Sequence, residues 1–134
     1  MGFDKVNTVV RGKPLWRYSF DTFLSHPEVE GVGIVSNTIS DFPEATFLVP
    51  GGSTRTESSR AGFAAAPAWA EIILVHDAAR PLVTHQVISN VIRGVERSGA
   101  AGPAIPVVDT IKQIDGETVH TLNRADLVAT QTPQ

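Results

Sequence analysis

Short apolar runs alternate along the chain with longer stretches in which apolar residues recur every three or four positions. Pro14 pre-sets a helical first turn, and Leu15, Trp16, Phe20, Phe23 and Leu24 then fall on one side of a helix that stops near His26-Pro27. Residues 32–35, broken by Gly33, and residues 46–49, closed by Pro50-Gly51-Gly52, are each short enough and apolar enough for a buried strand. Thr54 and Glu57 have capping-box spacing, which predicts a helix from Arg55 to about Ala66. Residues 71–75 (EIILV) form the clearest strand, too continuous in apolarity to leave one face wet. Thr84 caps a helix whose stripe is Val87, Ile88, Val91, Ile92 and Val95, with Arg93, Glu96 and Arg97 off it. Residues 104–108 make a further strand, residues 111–114 and 118–122 a hairpin around Asp115-Gly116, and residues 123–128 a short helix. Strands alternating with helices predict an α/β fold with a mostly parallel sheet.

Composition narrows the class. A chain of 134 residues with 42% hydrophobic content suits one compact domain with its own core, and its glycines and prolines are scattered rather than gathered into a linker. The net charge of −3, with Arg and Lys dispersed singly, gives no footprint for nucleic acid. The absence of cysteine excludes disulfides, thiolate nucleophiles and cysteine metal sites. Residues 1–8 lack an apolar signal core and no apolar run reaches the length of a membrane span, so the expectation is a cytoplasmic protein without a membrane partner.

Ligands of open α/β sheets bind beyond the carboxyl ends of strands, and two loops leave strands in that direction. The first, residues 49–58, carries Gly51 and Gly52, which let a ligand approach the backbone, and opens a helix whose free N–H groups suit an anion. Arg55 and Ser58, three apart, can add a guanidinium and a hydroxyl from one face, or the loop is an ordinary turn with a solvated arginine. The second loop is His76-Asp77-Ala78-Ala79-Arg80-Pro81. Asp77, directly after a strand, is placed to hold Mg²⁺, which takes carboxylate, water and phosphate oxygens. Ala78 and Ala79 leave room beside it, and Arg80 can grip a phosphate bidentately or simply pair with Asp77.

Two further pairs carry less on their own. Asp109-Thr110 either ends a strand or hydrogen-bonds a sugar or phosphate, and Asn123-Arg124 either caps a helix or touches a ligand. His26, His76, His85 and His120 have no metal-ligand spacing; His76 reads as support for the Asp77 loop and the others as surface or core filler. No G-x-S-x-G and no Walker A sequence occurs, and Trp16 and Trp69 read as core packing.

Taken in order, these segments resemble the methylerythritol-phosphate cytidylyltransferase family. The wording runs from Gly12-Lys13-Pro14-Leu15 through Gly51-Gly52-x-x-Arg55-x-x-Ser58 to His76-Asp77-Ala78-Ala79-Arg80-Pro81. It continues with Asp109-Thr110-Ile111-Lys112, Asn123-Arg124 and Gln131-Thr132-Pro133-Gln134. The resemblance implies a Rossmann-like nucleotidyltransferase sheet with a protruding β-hairpin arm. It implies transfer of CMP from CTP to 2-C-methyl-D-erythritol 4-phosphate, a sugar-alcohol phosphate, with release of pyrophosphate and with Mg²⁺ as cofactor. Gly51, Gly52, Arg55, Ser58, Asp77 and Ala78 would then bind nucleotide, Asp77 also holding the metal. Arg80, Asp109, Thr110, Arg124 and Thr132 would face the acceptor, Arg124 from the neighbouring subunit, and Lys5, Arg80 and Arg124 would serve catalysis.

The resemblance also implies differences. Family members carry a first strand and a glycine-rich loop ahead of the position of Lys5, and further elements beyond Gln134, so the expectation is a fragment with little turnover and exposed edges on neighbouring strands. Residues 109–122 correspond to an arm that crosses to a partner, which implies a homodimer. A ribitol-5-phosphate cytidylyltransferase shares several of these loops and stands as the alternative, beside a non-catalytic remnant that binds nucleotide or only dimerises.

Overall fold

A computed structural model describes residues 5–39 and 41–134; Phe3 and Asp4, which precede Lys5 in the resemblance, lie outside them. The first elements are a small antiparallel pair, β1 (Val9–Val10) and β2 (Lys13–Pro14), that leads directly into α1 (Leu15–Leu24). Pro14 is the residue before the first turn, with φ −58°, as its ring dictates. Next come β3 (Gly33–Val35) and β4 (Phe47–Val49), paired in parallel with Gly33 opposite Phe47 and Val35 opposite Val49. The capping box forms as the spacing predicts and starts α2 (Arg55–Ala65). Thr84 caps α3 (His85–Ser98), which ends at Gly99 in the left-handed conformation, φ 78°, where a side chain would be strained.

The core lies where α1 meets α3. Phe20 and Phe23 from α1 and Ile88, Val91 and Ile92 from α3 are buried, and Ile88 is fully enclosed. Val29, Val32, Ile72, Leu74 and Val83 pack around Phe23, Ile88 and Ile92. Two residues expected inside are not: Leu24 is 46% exposed at the end of α1, and Trp69 is 53% exposed. Trp16 does pack, edge-on to Phe20 and Phe42 with ring centroids 6.0 and 5.0 Å apart.

Three expectations are corrected. Residues 71–75 form no ladder: the chain bends at Glu71 and Ile72, and among the described residues the segment's backbone bonds at Val75 alone, donating to the Gln134 carbonyl at 2.8 Å and accepting from its N–H at 3.0 Å. Apolarity decides what a segment packs against, whereas a ladder needs a neighbouring strand. Here the segment shares the wall of a cavity of about 830 Å³ with residues 32–35, and among the described residues β3 pairs with β4 alone.

The expected α/β fold with a parallel sheet is present, in β3–β4, but antiparallel ladders outnumber it. Among the described residues β3–β4 is the one parallel pair, and the other three ladders are antiparallel. Finally, residues 123–128 do not make one helix. A 3₁₀ turn at Arg124–Asp126, capped by Asn123, gives way to a strand, β8 (Val128–Thr130), that pairs antiparallel with β5 (Ala104–Pro106). The β-branched Val128 and Thr130 favour extension, and β5 supplies the ladder. Between these strands lies the expected hairpin, β6 (Lys112–Asp115) and β7 (Thr118–Thr121), turning at Gly116. No helix among the described residues is long and apolar enough to cross a membrane.

Candidate active site

The glycine turn and the start of α2 are organised by their own side chains. The Thr54 hydroxyl accepts from the Glu57 N–H at 3.1 Å. The Glu57 carboxylate accepts from the Ser53 N–H at 2.7 Å, the Ser53 hydroxyl at 2.6 Å and the Thr54 N–H at 3.2 Å. Those bonds, the Ser53 hydroxyl first, hold the Glu57 carboxyl below its ordinary range. Ser58, expected to face a ligand, turns its hydroxyl inward: it accepts from the Gly52 N–H at 3.1 Å and donates to the Thr54 carbonyl at 3.0 Å. The helix therefore offers fewer free donors than its sequence implies. The N–H groups of Arg55 and Thr56 are the ones in the first turn without an acceptor among the described residues.

Asp77 joins this turn to the second loop. Its Oδ1 accepts from Arg55 Nε and Nη2, both at 3.2 Å, and its Oδ2 accepts from Arg80 Nε at 3.2 Å. One carboxylate thus aligns two guanidiniums that come from different loops. Arg55 is 59% exposed, so the ion pair itself adds little stability, and its weight is geometric. Arg80 extends a second arm to the side-chain oxygen of Gln131. The loop backbone is tied down from the chain end: the Asp77 N–H donates to Thr132 Oγ1 at 3.3 Å, beside the Val75–Gln134 backbone pair.

His76 supports this turn, as its position implies, with Nε2 donating to the Arg80 carbonyl at 3.0 Å. Its ring packs against Phe23, centroids 5.2 Å apart, and its Nδ1 is buried without a partner among the described residues. Burial draws the imidazole below its ordinary value, against the opposing pull of the Arg80 carbonyl and the Asp77 charge. It is held neutral.

The remaining candidates lie elsewhere. Thr132 is buried and braces the Asp77 loop. Lys5, Asp109 and Thr110 are exposed, outside this hydrogen-bonded group. Arg124 donates to the Val108 carbonyl at 2.9 Å within its own chain. Ala78 is exposed beside Asp77 and borders the large cavity. Two side chains to which the sequence assigns no site role join the group. Gln131 receives Arg80, and Asn37 Oδ1 accepts from the Gly51 N–H at 2.9 Å. Asn37 is the second residue after β3, so the strand-end rule that marks the other loops covers it too; Gln131 has no local pattern that foretells its contact.

The chemistry of both loops gathers at one end of a parallel strand pair, on guanidiniums of a kind suited to phosphate, in an α/β protein. The solved structures that superpose on the chain sharpen that class. The 2-C-methyl-D-erythritol 4-phosphate cytidylyltransferase of Thermus thermophilus shares 31% identity at a TM-score of 0.77, over 96% of this chain and 63% of its own. The 4-diphosphocytidyl-2C-methyl-D-erythritol synthase of Anaerococcus prevotii superposes at a TM-score of 0.83 with 25% identity, over 96% and 64%. The chain belongs to the 2-C-methyl-D-erythritol 4-phosphate cytidylyltransferase family, whose sequence model matches residues 1–134.

Curated relatives agree. A bifunctional enzyme IspD/IspF of Rhodopseudomonas palustris is 42% identical over 99% of this chain and 36% of its own length. A 2-C-methyl-D-erythritol 4-phosphate cytidylyltransferase of Clostridium botulinum is 35% identical over 93% of this chain and 60% of its own. The chain thus spans between about a third and three-fifths of these two relatives.

Proposed function

We propose that this chain carries the nucleotide and acceptor site of a cytoplasmic nucleotidyltransferase that moves CMP from CTP to 2-C-methyl-D-erythritol 4-phosphate. The observation that supports it most is the Asp77 carboxylate held between Arg55 and Arg80, which couples the two ligand loops. In this reading the acceptor's phosphate oxygen bonds to the α-phosphorus of CTP, the bond to the β-phosphate breaks, and pyrophosphate leaves. The protein's part is positioning and charge. Gly51 and Gly52 shape the base and ribose side. Arg55, Ser58, Ala78 and Lys5 attend the nucleotide, and Arg80, Asp109, Thr110, Arg124 and Thr132 the acceptor.

Asp77 is the residue for Mg²⁺. Among the described residues no group of three or more potential metal-ligating side chains occurs, which suits a cation that takes one carboxylate and otherwise water and phosphate oxygens. Bound there, Mg²⁺ would spread the negative charge of the phosphates. Asp77 Oδ1 and Oδ2 now carry guanidiniums, so Arg55 and Arg80 are poised to pass from carboxylate to phosphate.

The sheet is read as Rossmann-like, with β6 and β7 as the protruding arm. Ile114 and Val119, cross-strand partners 75% and 60% exposed, give that arm an apolar patch for a second copy in a homodimer.

The test is Mg²⁺-dependent pyrophosphate release from CTP with 2-C-methyl-D-erythritol 4-phosphate, run beside ribitol 5-phosphate. Release with the first acceptor supports the proposal. Turnover only with the second, or CTP binding with no turnover on either, replaces it.

A further inference from the structure

A third loop, residues 36–39, leaves the carboxyl end of the parallel pair, and no role above falls to it. Ser36 Oγ accepts from the N–H groups of Thr38 at 3.1 Å and Ile39 at 3.2 Å, which closes the turn on a hydroxyl. The turn sets Asn37 against the glycine loop, where its Oδ1 accepts from the Gly51 N–H at 2.9 Å. That bond fixes the amide's orientation, because an N–H donor must meet the oxygen and not the NH₂ group. The Nδ2 group is therefore a defined pair of donors. It has no partner among the described residues, and it lies 3.6 Å from where a Cβ on Gly51 would stand. Asn37 is exposed, so these donors are open to a ligand.

The same side chain borders a hollow of about 320 Å³, walled by Ile39, Leu48, Val49 and Pro50 with Ser36 beside it. Mostly apolar walls with one oriented amide suit a flat heteroaromatic ring whose edge accepts hydrogen bonds.

We propose that Asn37 reads the base of the nucleotide, its Nδ2 donating to an acceptor on the pyrimidine edge; this rests on the nucleotidyl-transfer reading above. The chemistry gives a direction. Cytosine presents O2 and N3 as adjacent acceptors, whereas uracil carries a hydrogen on N3. A donor aimed at N3 thus selects cytosine over uracil, which makes Asn37 a specificity-determining residue rather than only a brace for Gly51.

Asn37→Asp separates the two roles. It keeps an oxygen for the Gly51 N–H and replaces the donors with an acceptor, which faces uracil's N3–H favourably and cytosine's N3 unfavourably. Calorimetry would measure CTP and UTP binding, with Mg²⁺, to the wild-type chain, Asn37→Asp and Asn37→Ala, with a thermal melt of each. The wild type should prefer CTP. In Asn37→Asp the ratio of CTP to UTP affinity should fall about tenfold, as for a donor–acceptor pair that the bound base covers and the substitution turns into a mismatch. The added charge weakens both triphosphates alike, so the ratio isolates the base. Asn37→Ala, which loses donors and brace together, should lose most of the same preference. A ratio unchanged in both variants overturns the proposal, even if both bind more weakly, since that is the mark of a brace. A wild type that binds neither triphosphate overturns the nucleotide reading itself.

Discussion

The two halves of the molecule are held together in different ways. In the first, α1 and α3 bury Phe20, Phe23, Ile88, Val91 and Ile92, with Phe23 packed against Ile88 and Ile92. In the second, from β5 to β8, no residue of a strand is buried, and Ile105, Val108, Ile114, Val119 and Val128 are each more than half exposed. The first half is made stable by removing apolar surface from water, which scales with area. The second is organised by backbone ladders and keeps its apolar side chains available. The candidate site sits between the two, with Asp77 on a loop that packs on the core through His76 and Phe23 and is tied to the chain end through Thr132.

The largest expected effect attacks that contrast directly. Ile88→Ala should cost about 3 kcal/mol, because the side chain is fully enclosed and its removal leaves a cavity. Ile114→Ala, at 75% exposure, should stay within about 0.5 kcal/mol in the isolated chain. Urea unfolding of both variants decides the matter, and equal losses would mean that the hairpin contributes to the core after all.

The next effect asks what the exposed half is for. If Ile114 and Val119 meet a second copy, replacing both with lysine should weaken self-association by about 2 kcal/mol, as for a small hot spot. Sedimentation across a concentration series measures it. A wild-type chain that stays monomeric at high concentration removes the homodimer, and the exposed apolar ladder then needs another account.

A third, smaller effect lies at the candidate site. Thr54→Ala removes the cap of α2 and should cost about 1 kcal/mol. It should also loosen the turn that holds Gly52 and Ser58, so CTP affinity should fall together with stability. Wild-type stability and affinity in this variant would mean that the Glu57 carboxylate organises the turn unaided.

Local signals in the sequence were faithful wherever the cause is local. The Thr54–Glu57 box, the Thr84 cap, the stripe of α3 and the turn at Gly116 each depend on residues within a few positions, and each appears as the spacing predicts. Residues 71–75 and 123–128 failed for the opposite reason. A ladder depends on a partner far along the chain, so EIILV reads as a strand without finding one, and residues 128–130 become β8 because β5 lies beside them. The site divides the same way. Strand ends mark Gly51, Asp77 and Arg80, but the Arg55–Asp77 bond spans 22 positions, and the Arg80–Gln131 bond spans 51. Neither separation leaves a trace in spacing.

The smallest effect sharpens the comparison by pH. Burial alone would raise the Asp21 carboxyl, but hydrogen bonds from Lys13 and Arg17, with their charges, outweigh it and hold it below the ordinary aspartate value. A carboxyl depressed in the folded state stabilises that state above its unfolded value, and the contribution is lost as pH falls through the lowered one. Asp21 is 34% exposed and ties β2 and α1 together, so solvent limits the contribution to about 0.5 kcal/mol. Asp21→Asn should therefore lower unfolding free energy at neutral pH by about that amount and bring the two proteins together in acid. A gap that persists below the lowered value would trace the loss to the geometry of the α1 anchor rather than to the charge.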